Sequence, residues 1–229
     1  MNGQSKYNEM SLTGFQPVLP TPASLLAIVA IYALLGWLGL ALAIPPGYAS
    51  PVFPASGFAL AVTLHYGIRV LPAIWIGSLL LNIVVALMHG NLSATPLIAA
   101  AGIATGALLQ SWAGQLLIHK WLNAEIHDLD QEKEMFRFLV TGGALACLIA
   151  ATFGTSSLIF AGIISADAFG YSWWNWYVGD TLGVFIATPL VLGLLQRHQA
   201  SWLNRLKTIA APVLGMLSMA VLMFIGAAR

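Results

Sequence analysis

Long apolar blocks, separated by short breaks that contain proline, glycine or charged residues, dominate this chain. Most blocks approach the roughly 20 residues that an α-helix needs to cross a bilayer. The pattern therefore predicts an all-α fold, a polytopic transmembrane helix bundle with about seven spans. The predicted spans are about 22–44, 53–67, 70–88, 95–119, 135–164, 172–195 and 208–225.

The stretch 135–164 allows two interpretations. About 30 residues would form a helix of about 45 Å, which exceeds the hydrocarbon layer of about 30 Å, so the stretch is one tilted span or two short ones, giving seven or eight spans. With one span, the connectors 43–52, 89–94 and 165–171 contain no Lys or Arg, and the basic residues collect on the side of the N-terminus. Because cytoplasmic connectors carry the excess of Lys and Arg, we expect one long span, kinked near Gly154, a cytoplasmic N-terminus and an external C-terminus. The residues on the basic side are then Lys6, Arg69, Lys120, Lys133, Arg137, Arg197, Arg205 and Lys207.

Composition agrees with lipid as the solvent. Hydrophobic residues make up 59% of the 229 residues, whereas 9 Lys+Arg and 8 Asp+Glu make up only 7%. A soluble domain has roughly 25% charged residues, so a soluble globule is excluded. The net charge of +1 argues against a nucleic-acid partner, which would need clustered basic residues. Residues 1–21 are polar and lack a secretory signal, so we expect a retained cytoplasmic tail there.

One acid lies inside a predicted span. Asp180 follows the outer end of the sixth span by about eight residues, or about 12 Å. Because an unpaired ionised carboxylate in lipid costs several kcal/mol, Asp180 must face the protein interior or water. A functional role is the first hypothesis for such a residue, and a structural role as a helix cap or helix-to-helix tether is the alternative.

Asn82 on the third span is predicted at a depth similar to that of Asp180, and the two define a candidate outward-facing cavity for a small ligand. The alternative for Asn82 is a simple hydrogen bond to a neighbouring helix. The aromatic residues at the outer end of the sixth span also suit an interfacial belt. The candidate binding residues are Asp180, Asn82, Asn175, Trp173, Trp176, Tyr177, Phe53, Ser56 and Thr155.

Small residues recur at four-residue spacing in two pairs, Gly102 with Gly106 and Gly179 with Gly183. This spacing is typical of close helix packing. Pro189 removes a helical N–H, so a kink is expected there.

Metal, haem and catalytic chemistry find no support in the residues. The single cysteine, Cys147, is insufficient for an internal disulfide, a Cys-paired zinc site or an iron–sulfur cluster. The histidines are predicted near the membrane surfaces, where no two face each other as haem ligands. We therefore expect no cofactor, no metal and no enzymatic activity.

Three segments together resemble the MASE1 family of bacterial membrane-associated sensor domains. They are PVFPASGFAL at 51–60, GIR at 67–69 followed by Pro72, Gly77 and Asn82, and WWNWYVGDTLG at 173–183 followed by Thr188 and Pro189. The likeness covers about residues 23–195, and the tryptophan cluster followed by Gly-Asp is its most specific part. The family usually has Trp where this chain has Phe53.

The resemblance implies a multi-pass sensor of the bacterial cytoplasmic (inner) membrane over residues 22–229. Such a domain detects an unidentified signal and regulates a cytoplasmic output domain, namely a cyclic-di-GMP cyclase or phosphodiesterase or a histidine kinase, in cis or through a partner. Family members continue with a further span and an output domain, so we expect this chain to be a fragment or a stand-alone member. The other implied partners are the lipid bilayer and, as an option, a second copy in a homodimer.

The alternative hypothesis is a small-solute-binding subunit similar to those of energy-coupling-factor transporters, with Ala23 and Ala27 on a docking face of the first span.

Overall fold

The computed structural model describes residues 19–41, 50–88, 90, 93–122 and 139–195, and every regular element in this part of the chain is helical. The predicted tail 1–21, apart from its last residues, and the predicted span 208–225 lie outside the described residues. The helices are α1 Pro22–Leu40, α2 Pro54–Tyr66, α3 Leu71–Met88, α4 Ala94–Leu122, α5 Ala146–Phe160 and α6 Phe169–Leu195. Short 3₁₀ turns precede α3 and α6, at Gly67–Val70 and Ala166–Ala168, and π-helical turns at Leu139–Leu145 lead into α5.

Five helical stretches of the described part are long and apolar enough to cross a membrane, so the predicted number of about seven spans is not confirmed. Residues Pro54–Met88, which we predicted as two spans, count as a single stretch. The physical reason is that α2 has 13 residues and is only about 20 Å long, too short to cross the hydrocarbon layer alone.

The chain reverses within Pro54–Met88. Close approaches join Gly77 to Tyr32 and Gly36 to Leu81, so α3 runs parallel to α1. Gly39 near the end of α1 packs against Pro54 at the start of α2, so α2 runs against both. The turn is made at Gly67, whose φ of 75° suits a residue without a side chain.

The short helix α2 is the centre of the bundle. Every residue from Ala55 to Leu64 is buried, whereas the neighbouring helices keep lipid-facing sides. A helix that is apolar on all faces is stable only when other helices surround it. Ser50 and Val52, in the non-helical segment before α2, are buried as well. Irregular backbone is tolerated at membrane depth only where protein or a water-filled cavity surrounds it.

The long fifth span is a single helical run in its described part, as predicted, because the turns Leu139–Leu145 pass directly into α5. Its irregularity lies in those π-helical turns rather than near Gly154, where we expected a kink. Gly154 is inside α5 and packs against the indole ring of Trp176.

The glycine pairs mark close helix contacts. Gly102 and Gly106 on α4 lie against Ser157 and Phe153 of α5. Gly179 and Gly183 on α6 lie against the carbonyl groups of Ser50 and Phe53, in the segment that leads into α2. Pro189 lies inside α6, which continues through it.

Candidate functional site

A small cavity lies inside the bundle where all six described helices, α1 to α6, approach one another, and we call it the Asp180 chamber. Its volume is about 50 Å³. One water molecule needs about 10–15 Å³ of such space, so the chamber has room for a few water molecules. Its wall includes six polar residues and three aromatic ones, namely Ser50, Ser56, Ser78, Asn82, Gln110, Asp180, Tyr32, Phe53 and Trp176.

Asp180 is the only acid among the described residues that line the chamber, and 2% of its surface is exposed. Trp176, one helical turn earlier on α6, lines the chamber together with it. Gly179 and Gly183 flank Asp180, and their missing side chains let the segment 50–53 pack against α6. The acid therefore faces the protein interior beside a void, as its position in the sequence required.

The wall opposite Asp180 is formed by α1 and α3. Tyr32 is 2% exposed and lines the chamber together with Ser78. Asn82, one turn after Ser78 on α3, donates from Nδ2 to the Ser78 carbonyl oxygen at 2.8 Å. Because this bond uses one of two amide N–H groups, the other N–H and the amide oxygen of Asn82 stay available to the chamber.

Three hydrogen bonds attach the start of α2 to α6 beside the chamber. The Phe53 N–H donates to the Gly179 carbonyl at 3.0 Å. The Ser56 hydroxyl lies 2.9 Å from the Asp180 backbone carbonyl and 2.8 Å from the Phe53 carbonyl, so its single proton is shared between these two acceptors. The Thr188 hydroxyl lies 3.0 Å from the Gly57 carbonyl. These bonds fix the position of the start of α2 against α6, because each joins a group at or just before the first turn of α2 to a residue of α6.

Five of the predicted site residues come together at the chamber. They are Asp180, Asn82, Phe53, Ser56 and Trp176.

The other four predicted site residues are not among those that line the chamber. Trp173 stacks on Tyr177 with a ring separation of 5.5 Å and donates from Nε1 to Thr152 on α5 at 3.1 Å. Asn175 is half-buried on α6. Thr155 is fully buried in α5, and its hydroxyl oxygen finds no hydrogen-bond partner within the described residues. Trp173 and Tyr177 therefore connect α6 to α5 rather than face the acid.

Our sequence analysis did not place Tyr32, Ser78, Ser50 or Gln110 in the site. Gln110 lines the chamber and also donates to the Cys147 sulfur at 3.2 Å. A signal existed for Ser78, because it precedes Asn82 by four residues and so shares its helix face. Tyr32 similarly lies on the α1 face that carries Gly36 and Gly39.

A second, larger cavity lies between α3, α4 and α5, and we call it the outer cavity. Its volume is about 310 Å³. Asn82, Val85 and Ile103 line both cavities, so the two are neighbours across these side chains. Apart from Asn82 and Thr95, the described residues around the outer cavity are apolar or glycine.

These features define a helical membrane domain with a small internal cavity and one buried acid in its wall. The comparison with family models assigns it more closely: the MASE1 model matches residues 24–228, nearly the whole chain, and the chain belongs to that family. MASE1 is a family of membrane sensory domains. No curated protein and no solved structure matches this chain.

Proposed function

We propose that this domain registers a signal in the Asp180 chamber and passes it to a cytoplasmic output, either cyclic-di-GMP turnover or a histidine kinase, in cis or through a partner. Membership of a sensory family supports the role, and the buried acid carries the choice of site. In this proposal the domain has no enzymatic activity of its own.

The energetic state of Asp180 is the main argument. No basic residue is found among the described residues that line the chamber, so no side chain there neutralises the carboxylate. A buried carboxyl group without a basic partner is costly in its ionised form, and it avoids that cost only by taking up a proton or a cation. Binding or release of a ligand at the Asp180 carboxyl group therefore changes the free energy of the chamber strongly. Such a change suits a signal-dependent switch.

Transmission would run through α2 and α6. These helices pack side by side in the same direction, because Gly57 near the start of α2 contacts Gly183 and Leu64 near its end lies in a cluster with Leu192. A change at Asp180 acts on the carbonyl to which Ser56 is bonded, and therefore on the position of α2. The far ends of both helices lie on the side where Arg69 follows α2.

Orientation follows from charge. Consecutive helices alternate in direction, so Arg69 between α2 and α3 and Lys120 near the end of α4 lie on one side, and Asp167 before α6 lies on the other. The basic side is the cytoplasmic one by the positive-inside rule. We therefore propose a bacterial inner-membrane domain with a cytoplasmic N-terminus and a chamber nearer the outer surface.

The test replaces Asp180 with Asn in the full chain in its native cells, with Asp167→Asn as the matched control. Both variants remove one carboxylate, but Asp167 is exposed on the surface before α6. Cyclic-di-GMP levels and phosphorylation of the cell's histidine kinases are measured in cells that carry the wild type or either variant. We expect Asp180→Asn to shift one of these outputs at unchanged protein abundance, and Asp167→Asn to leave both unchanged. Equal outputs for Asp180→Asn and wild type would refute the proposal.

Co-purification distinguishes the alternative of a solute-uptake subunit. Recovery of the chain with a membrane coupling protein and an ATPase, and no effect of Asp180→Asn on signalling outputs, would favour uptake over sensing.

A further inference from the structure

The two adjacent cavities differ in chemistry in a way that defines one kind of ligand. The Asp180 chamber contains a carboxyl group without a basic partner among the described lining residues, and it is small. The outer cavity is six times larger by volume, about 310 Å³ against about 50 Å³, and no charged side chain is found among its described lining residues. A molecule that occupied both would carry a small cationic end and an apolar body.

The chamber is suited to an ammonium group. Tyr32, Phe53 and Trp176 place three aromatic rings in its wall together with Asp180. Aromatic rings attract a cation over their faces, and the attraction rises to about 2 kcal/mol or more where water is excluded. An ammonium group is close to a water molecule in size, so the chamber holds it with a short length of carbon chain and little else.

The chamber wall offers hydrogen-bond acceptors for the N–H donors of an ammonium group. An alkylammonium group presents three donors and no acceptor, as lysine does. The Asp180 carboxylate, the Asn82 amide oxygen and the Ser78 hydroxyl are acceptors on the chamber wall. A cation there removes the cost of an isolated buried carboxylate, since a buried charge is retained where it is paired and hydrogen-bonded.

The outer cavity is suited to the rest of the molecule. Its volume falls at the lower end of the roughly 300–1,000 Å³ typical of small-molecule sites. Ala99, Ala100 and Leu158 are buried in its wall, and no charged residue is found among its described lining residues. An anionic or doubly charged ligand would lose its hydration there without compensation.

We propose that the signal recognised by this domain is a small organic amine, whose ammonium group binds in the Asp180 chamber and whose apolar part lies in the outer cavity. This proposal rests on the function proposed above, because the amine is a signal only if the domain is a sensor. Binding of the amine is measured independently of that function. Asn82, Val85 and Ile103 line both cavities, so a ligand that occupies both must displace these side chains where the cavities adjoin.

The experiment uses the full chain in lipid nanodiscs and four probes: n-butylammonium, n-butanol, ammonium and potassium, all as chlorides except the alcohol. Binding is followed by calorimetry and by the thermal unfolding midpoint. We expect n-butylammonium to bind at least about tenfold more tightly than n-butanol, which has the same carbon chain without the charge. Ammonium and potassium ions should bind more weakly than n-butylammonium, because they leave the outer cavity empty.

Two variants and one control locate the binding. Asp180→Asn keeps the shape of the side chain and should remove the preference for n-butylammonium over n-butanol. Ala86→Leu adds bulk to the outer cavity and should weaken the binding of n-butylammonium more than the binding of ammonium. Asp167→Asn should bind all four probes as the wild type does.

Equal binding of n-butylammonium and n-butanol, or no binding of either, would overturn the proposal. Equal binding of n-butylammonium and potassium would also overturn it, because the site would then accept any monovalent cation. If no amine binds but Asp180→Asn alters the cellular output, only the ligand class is wrong. If the amine binds and the output does not change, the sensory role of the chamber is wrong instead.

Discussion

The contact between Gly183 and the segment before α2 offers the sharpest test of the architecture. Replacing Gly183 with Ala would place a Cβ atom 2.6 Å from the Phe53 carbonyl carbon and 2.6 Å from the Ser56 hydroxyl oxygen, and closer still to the Phe53 carbonyl oxygen. Real carbon atoms do not approach so closely to backbone, so α6 and the start of α2 must move apart. The substitution therefore acts where Ser56 is bonded to the backbone of Asp180.

The size of the effect follows from three contributions. Inserting a methyl group into a packed contact typically costs about 1–3 kcal/mol. Losing the Ser56 hydrogen bond adds about 0.5–1.5 kcal/mol. Ala recovers about 0.5–1 kcal/mol because its helix propensity is higher than that of Gly. We expect Gly183→Ala to lower the free energy of unfolding by about 0.5–4 kcal/mol.

Gly193→Ala is a matched control in the same helix. A Cβ atom at Gly193 meets no atom within 4 Å, so this variant should gain about 0.5–1 kcal/mol from helix propensity alone. Unfolding is measured by SDS titration in mixed micelles, with helix content followed by circular dichroism. If Gly183→Ala is as stable as Gly193→Ala, the close contact between α6 and the start of α2 is wrong.

Three further substitutions test individual groups by the same unfolding assay. Thr188→Val keeps the shape of the side chain but removes the hydroxyl that lies 3.0 Å from the Gly57 carbonyl, so a loss of about 0.6–1.7 kcal/mol is expected, and no loss would mean that this bond is not formed. Trp75→Phe removes the indole N–H that donates to Thr105 at 3.2 Å, which joins α3 to α4, and should cost about 1–2 kcal/mol; a stability equal to wild type would contradict that link. Asp180→Asn should leave the stability of the ligand-free protein unchanged or higher, because it removes an unpaired buried acid, whereas a loss of more than about 1 kcal/mol would make that acid a structural tether.

Much of the candidate site could be predicted because membrane burial makes polar residues conspicuous. In a chain with 7% charged residues, an acid in the middle of an apolar span has few explanations, and Asp180 was found on that ground alone. Asn82 was placed at the same level by counting residues from the span ends, and it lines the same chamber. Depth along a helix is a one-dimensional quantity, and 1.5 Å per residue is enough to estimate it.

The direction in which a side chain points around its helix was harder to predict. Trp173 and Tyr177 lie within a few residues of Asp180, but Trp173 turns toward α5, where it bonds Thr152, and stacks on Tyr177. Tyr32 is far away in sequence yet reaches the chamber. Which face of α6 meets which neighbour depends on the packing of all the helices, and an apolar sequence with lipid on one side carries only a weak signal of that kind.

The sequence by itself determined the solvent, the helical class and the presence of one acid that must be sheltered, because each follows from the cost of placing backbone and charge in hydrocarbon. Only the tertiary structure decided that α2 is a short, fully buried central helix and that the extended segment before it is bonded to α6 at Gly179. The physical reason is that a helix too short to cross the bilayer is stable only inside a ring of others. That ring is formed by contacts between residues that are far apart in the sequence, such as Ser56 and Asp180, which are 124 positions apart.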